Sequence, residues 1–164
     1  MDQNKFFTTA SIVSSNRVLY TPSSFARTSL LHLQEIGTLQ ALAPHTSSRA
    51  NLQSYLFFTV LSGAGELSYE GKTYELQPGD CVFIDCRKQY SHTTPYTQNS
   101  SGSASEVDQK DLWSLRWCHF YGPTLSFVYE KYVERGGRPV FSPSSAAPFL
   151  STLDTLYTLA SGSD

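Results

Sequence analysis

The stretch Tyr55-Leu-Phe-Phe-Thr-Val-Leu-Ser-Gly-Ala-Gly-Glu-Leu-Ser-Tyr-Glu-Gly-Lys-Thr-Tyr-Glu-Leu-Gln-Pro-Gly-Asp-Cys-Val-Phe-Ile-Asp-Cys86 decides the fold class. Residues 55–61 form a nearly continuous apolar run, short and rich in β-formers, as a buried strand requires. Ser62-Gly63-Ala64-Gly65 interrupts it, and its glycines permit a positive φ or a bulge. Residues 66–69 and 73–76 flank Glu70-Gly71-Lys72, a hairpin signal with Gly in the turn. Gln77-Pro78-Gly79-Asp80 reads as a second turn: Pro presets φ, Gly is free to go positive, and Asp80 is placed to cap backbone amides. Residues 81–86 make the next strand. Strands this short and evenly spaced predict a mainly β sandwich or barrel.

Working outward, residues 29–36 and 38–43 are expected as strands flanking a turn at Gly37. Residues 1–25 are rich in Ser, Thr and Asn. Their apolar pieces, such as Ile12-Val13 and Val18-Leu19, are short, so they read as an N-terminal arm that packs on the body or stays mobile. On the other side, residues 96–111 have almost no apolar side chains and read as a surface loop without fixed structure. Residues 112–121 return to strand character. Gly122-Pro123 opens a helix over 123–135 with Leu125, Val128, Tyr129 and Tyr132 at helical spacing, closed by Gly136-Gly137. After a Pro/Ser-rich link, Phe149, Leu150, Leu153, Leu156, Tyr157 and Ala160 form an amphipathic stripe. Such a helix is expected to fold back on the barrel, or to meet a second subunit or a continuation of the chain.

Composition narrows the function. The 164 residues suit one domain, with 40% hydrophobic, 16% charged and 13% aromatic residues. Twelve basic against fourteen acidic residues give a formal charge of −2, and no Lys/Arg block forms the footprint that phosphate neutralisation demands. Direct nucleic-acid binding by these residues is therefore not expected. No apolar run is long enough to span a membrane, and the first residues lack the charged and apolar regions of a signal peptide. The cysteines, Cys81, Cys86 and Cys118, are odd in number and show no disulfide framework. They read as buried small hydrophobes in a reducing, cytoplasmic setting.

The strand Trp113-Ser-Leu-Arg-Trp-Cys-His-Phe-Tyr121 carries the most chemistry. Period-two alternation puts Trp113, Leu115, Trp117, His119 and Tyr121 on one face and Ser114, Arg116, Cys118 and Phe120 on the other. A barrel interior faced with Trp, His and Tyr offers rings to stack on a ligand and polar tips to orient it. The competing reading is an aromatic core with its polar tips satisfied. Tyr90 and His92, also two apart, point the same way. No His-x-His or Cys-x-x-Cys spacing assembles a metal site, although His45 and His92 are its nearest candidates. No Gly-x-Ser-x-Gly or Cys/His signature marks a nucleophile, and Gly63-Ala-Gly-Glu66 lacks the third glycine and the helix of a phosphate loop.

The run from Tyr55 to Cys86, followed by Tyr90-Ser-His92 and Leu112-Trp…Trp-Cys-His-Phe-Tyr-Gly122, resembles the N-terminal effector-binding and dimerisation domain of AraC-type transcriptional regulators. The resemblance covers residues 30–141. It implies a cupin-like double-stranded β-helix (jelly-roll) barrel followed by C-terminal α-helices. The domains it implies are an arm at 1–25, a ligand-binding barrel at 26–141 that includes the helix at 123–135, and the start of a dimerisation helix region at 142–164. It implies no catalytic residue, no cofactor and no metal. The partners are a small polar effector such as a sugar, a second copy of the chain, and DNA through helix-turn-helix motifs expected beyond residue 164. The arm is expected to close over the ligand.

Carried over by motif position, the stacking Trp falls on Trp117, a polar group on His92 and the ligand-binding Arg on Arg49. Glu35 lies on an earlier strand, and Tyr90, Trp113 and His119 complete the expected ligand-binding set. Leu115 stands where a sugar-binding member has a polar residue, and the His-x-His and Glu of the first cupin metal motif are missing. Two alternatives remain at this point: a metal-dependent cupin enzyme (isomerase or dioxygenase) using His92 and His45, and a solid-packed dimerisation module.

Overall fold

The computed structural model describes residues 13–94 and 109–162. The expectations for residues 1–12 and for most of the loop at 96–111 lie outside these. The strands are β1 (Val13–Leu19), β2 (His32–Ala41), β3 (Thr46–Arg49), β4 (Tyr55–Ser62), β5 (Gly65–Tyr69), β6 (Lys72–Leu76), β7 (Cys81–Asp85), β8 (Tyr90–Thr93), β9 (Ser114–Tyr121) and β10 (Val140–Phe141). The helices are α1 (Ser24–Ser29), α2 (Leu125–Glu134) and α3 (Ala147–Ser161). The strands form a six-stranded sheet ordered β1-β2-β9-β4-β7-β10 and a four-stranded sheet ordered β3-β8-β5-β6, with every named pairing antiparallel. The mainly β, two-sheet architecture expected from the turn spacing is what forms.

The turns follow their chemistry. Glu70 and Gly71 sit at φ 49° and 75° between Tyr69 and Lys72, which pair across the hairpin. Positive φ at both central residues is what a two-residue turn matched to the strand twist requires. In the next turn the Asp80 carboxylate accepts the Gln77 amide at 2.9 Å and the Ser142 hydroxyl at 2.6 Å, tying the turn to the segment after β10.

Two expectations are corrected. Gly37 is not a turn: β2 runs straight through it, pairing with Arg17 on one side and Trp117 on the other. A Cβ at Gly37 would lie 2.4 Å from the Asn16 carbonyl oxygen and 3.2 Å from the Trp117 ring, so the glycine serves close approach rather than chain reversal. The described part of the stretch expected as an arm, residues 13–25, also holds regular structure. Residues 13–19 are a full edge strand of the larger sheet, so the barrel begins at β1 and not at residue 26.

The two faces of the large sheet do different jobs. Outward, Ile36 and Cys118 pack against Leu153, with Leu156, Tyr157 and Ala160 alongside. Phe149 stacks on Phe57 with centroids 5.4 Å apart, and Arg116 pairs with Asp154. The stripe on α3 thus folds back onto the barrel. Helix α2 sets Leu125 and Tyr129 against Tyr55, with Phe83 and Phe120 beside them. Inward, Val60, Leu67, Leu76, Val82 and Trp113 from both sheets are almost wholly buried and make the core. All three cysteines are buried and free, and burial raises the thiols of Cys86 and Cys118 to about 12. Among the described residues no helix is long and apolar enough to cross a membrane.

Candidate ligand-binding cavity

Between the sheets lies a cavity of about 550 Å³, within the range of small-molecule sites. Register explains who faces it. Cross-strand partners share a face, so the pairs Arg17–Gly37, Gly37–Trp117 and Trp117–Phe58 carry one row of side chains inward. Glu35, His119 and Leu56 form the next row, and Leu39 pairs with the inward-facing Leu115. From the smaller sheet, Arg49 pairs with Tyr90 and Ser47 with His92.

Six of the seven residues expected as ligand-binding therefore converge: Arg49, His92, Trp117, Tyr90, Glu35 and His119 all line this cavity. Trp113 does not. Its ring is fully buried below the cavity, 6.1 Å from Phe58 and 5.7 Å from His92, over the open face of Gly65. A Cβ on Gly65 would meet that indole at 2.2 Å. Period-two alternation rightly gave Trp113 the inward face, but strand position decides depth, and Trp113 precedes the strand.

Arg17 was missed. Its guanidinium holds the Glu35 carboxylate through Nε at 2.7 Å, and Glu35 lies 3.9 Å from His119 Nε2. Ser54 Oγ and His119 Nδ1 share a hydrogen bond at 2.8 Å. The chain Arg17–Glu35–His119–Ser54 crosses one wall. Burial is the main influence lowering the His119 pKa, with Arg17 and Arg49 adding to it and Glu35 opposing. His92 is pushed down to about 4, first by burial and then by His45, Arg49 and His119. Its ring sits among Phe58, Tyr90 and Trp113, and its buried Nδ1 has no hydrogen-bond partner among the described residues. Burial likewise raises the Tyr90 phenol.

His45 and His92 are the nearest metal candidates in the sequence, so the donors matter. Among the described residues no three His, Cys, Asp or Glu side chains converge as ligands. His45 Nδ1 lies 3.1 Å from the Ala43 carbonyl and 3.2 Å from Thr94 Oγ1, and His119 is engaged as above. The donor set does not fit a metal centre.

Residues 38–100, holding β3 to β8 and the PGD turn, match the cupin domain family. The match covers the middle of the chain and falls within the mainly β, two-sheet fold described above. Among solved structures this chain is similar to the cupin domain of Schizosaccharomyces pombe Cnp3, with 12% identity, 78% of this chain and 74% of that chain covered, and a TM-score of 0.48. It is similar to the cupin domain of an XRE family transcriptional regulator from Enterobacter cloacae (13% identity; 69% and 99% covered; TM-score 0.45). It is also similar to KdgF from Halomonas sp. (16% identity; 66% and 80% covered; TM-score 0.43). No curated protein matches the chain significantly.

Proposed function

We propose that this chain is the ligand-sensing domain of an AraC-type transcriptional regulator, binding a small molecule between its sheets and performing no chemistry on it. The observation that carries the reading is the cavity itself: an aromatic and polar lining around a buried imidazole nitrogen that lacks a partner among the described residues. Buried polar groups are ordinarily satisfied, so a ligand atom that completes His92 gains a hydrogen bond the protein does not supply. The resemblance along residues 30–141 supports the regulatory role. It also supports a homodimer and DNA contact through a separate helix-turn-helix domain.

Thermal-shift and calorimetric screening against sugars, organic acids and other metabolites tests the reading. A stoichiometric ligand whose binding is lost in Trp117→Ala, with the fold intact by circular dichroism, is the expected result. A ligand that binds Trp117→Ala as tightly as the wild type lies elsewhere and removes the cavity from the account.

A further inference from the structure

The cavity is not evenly polar, and its asymmetry narrows the ligand. Leu39, Leu56, Phe58 and Leu115 present hydrocarbon to one part of it, with the half-buried Trp117 beside them. A polyol lying there would bury hydroxyls against groups that neither donate nor accept, leaving them unsatisfied. The charged lining is two guanidiniums, Arg17 and Arg49, against one carboxylate, Glu35. Glu35 is already bound by Arg17. Arg49 donates Nη1 to the Ser48 carbonyl at 2.9 Å and, among the described residues, has no carboxylate within ion-pairing distance. Among the described residues, the lining therefore holds one uncompensated positive charge opposite an apolar wall.

We infer that the cavity takes a small organic carboxylate with an apolar, ring-sized body, its carboxylate on Arg49 and its body against Leu115 and Trp117. This rests on the reading of the cavity as a ligand site. A guanidinium matches a carboxylate with two parallel N–H···O bonds, which a neutral hydroxyl cannot reproduce. The hydrocarbon wall supplies the burial that a ring gains on leaving water. His92, held neutral by burial, adds a hydrogen-bonding site without adding charge.

The test uses the protein with sodium benzoate and cyclohexanecarboxylate as probes, benzamide as the uncharged isostere and D-glucose as the polyol. Binding is read by calorimetry and by the two indole Nε1–H resonances, of Trp113 and Trp117. The expected result is that the carboxylates move the Trp117 resonance, bind about tenfold or more tightly than benzamide, and weaken as salt is raised. Arg49→Gln, at an exposed position, is expected to cost the carboxylates about tenfold and leave benzamide within about twofold. Equal binding of benzoate and benzamide, or of benzoate to wild type and Arg49→Gln, overturns the carboxylate inference and leaves the cavity reading standing. Glucose binding in place of the acids has the same consequence. If no probe of any class moves the Trp117 resonance, both fall together.

Discussion

The interior of this barrel has two halves built on opposite terms. Below His92, Trp113 lies over Gly65 and against Phe58, with Val60, Leu67, Leu76 and Val82 completing a core whose members are 0–2% exposed. Above it, Arg17, Glu35, Arg49, Ser48 and His119 share the same inter-sheet space. Both halves are written on the same strands, a few residues apart. The difference shows that a sheet need not be apolar along its whole inner face. Once one end is close-packed, the other is released to carry charge, and His92 marks the boundary between them.

That contrast is most sharply broken from below. Trp113→Ala is expected to cost about 3–5 kcal/mol of stability, measured by urea unfolding, because the indole fills a space that Gly65 leaves open. A cost under about 1 kcal/mol would mean that the lower half is not packed as described. The boundary itself is tested by pH. His92 has a folded-state pKa of about 4 against an ordinary 6.5, so the unfolded chain takes up the proton first. The stability tied to neutral His92 is complete above about pH 6.5 and drains as pH falls toward 4, reaching about 3 kcal/mol. His119 drifts in the same sense. His92→Phe is expected to flatten the stability–pH slope between pH 7 and 4.5; an unchanged slope would show that the ring is not buried neutral. The smallest effect is above: Arg49→Gln is expected to leave unfolding within about 0.5 kcal/mol of wild type. A larger loss there would make Arg49 a structural residue and erase the contrast.

Sequence legibility followed the same division. The run at residues 55–86 was readable because continuous apolar strands and glycine-bearing turns alternate at short range, and both signals are local. Trp117, His119, Tyr90 and His92 were readable because period two fixes which face a strand residue takes. Strand β1 was not. Val13-Ser-Ser-Asn-Arg-Val-Leu19 alternates no apolar residues, since its inward side chains face a polar cavity rather than a core, and with it Arg17 escaped notice. Gly37 was misread because a glycine between two β-like segments suggests a turn, and only the neighbouring strands reveal that it makes room. Trp113 was assigned the right face and the wrong depth, which periodicity does not encode.

Gly37 has a reach beyond its own strand. The atom it lacks would press at once on the backbone of β1 and on the ring of Trp117. Positions 16–17, 37 and 117 are therefore sterically coupled: a side chain at 37 requires the edge strand to reseat and the indole to tilt. Residue 37 thus sets, through the indole it lets in, how much room is left in the inter-sheet cavity.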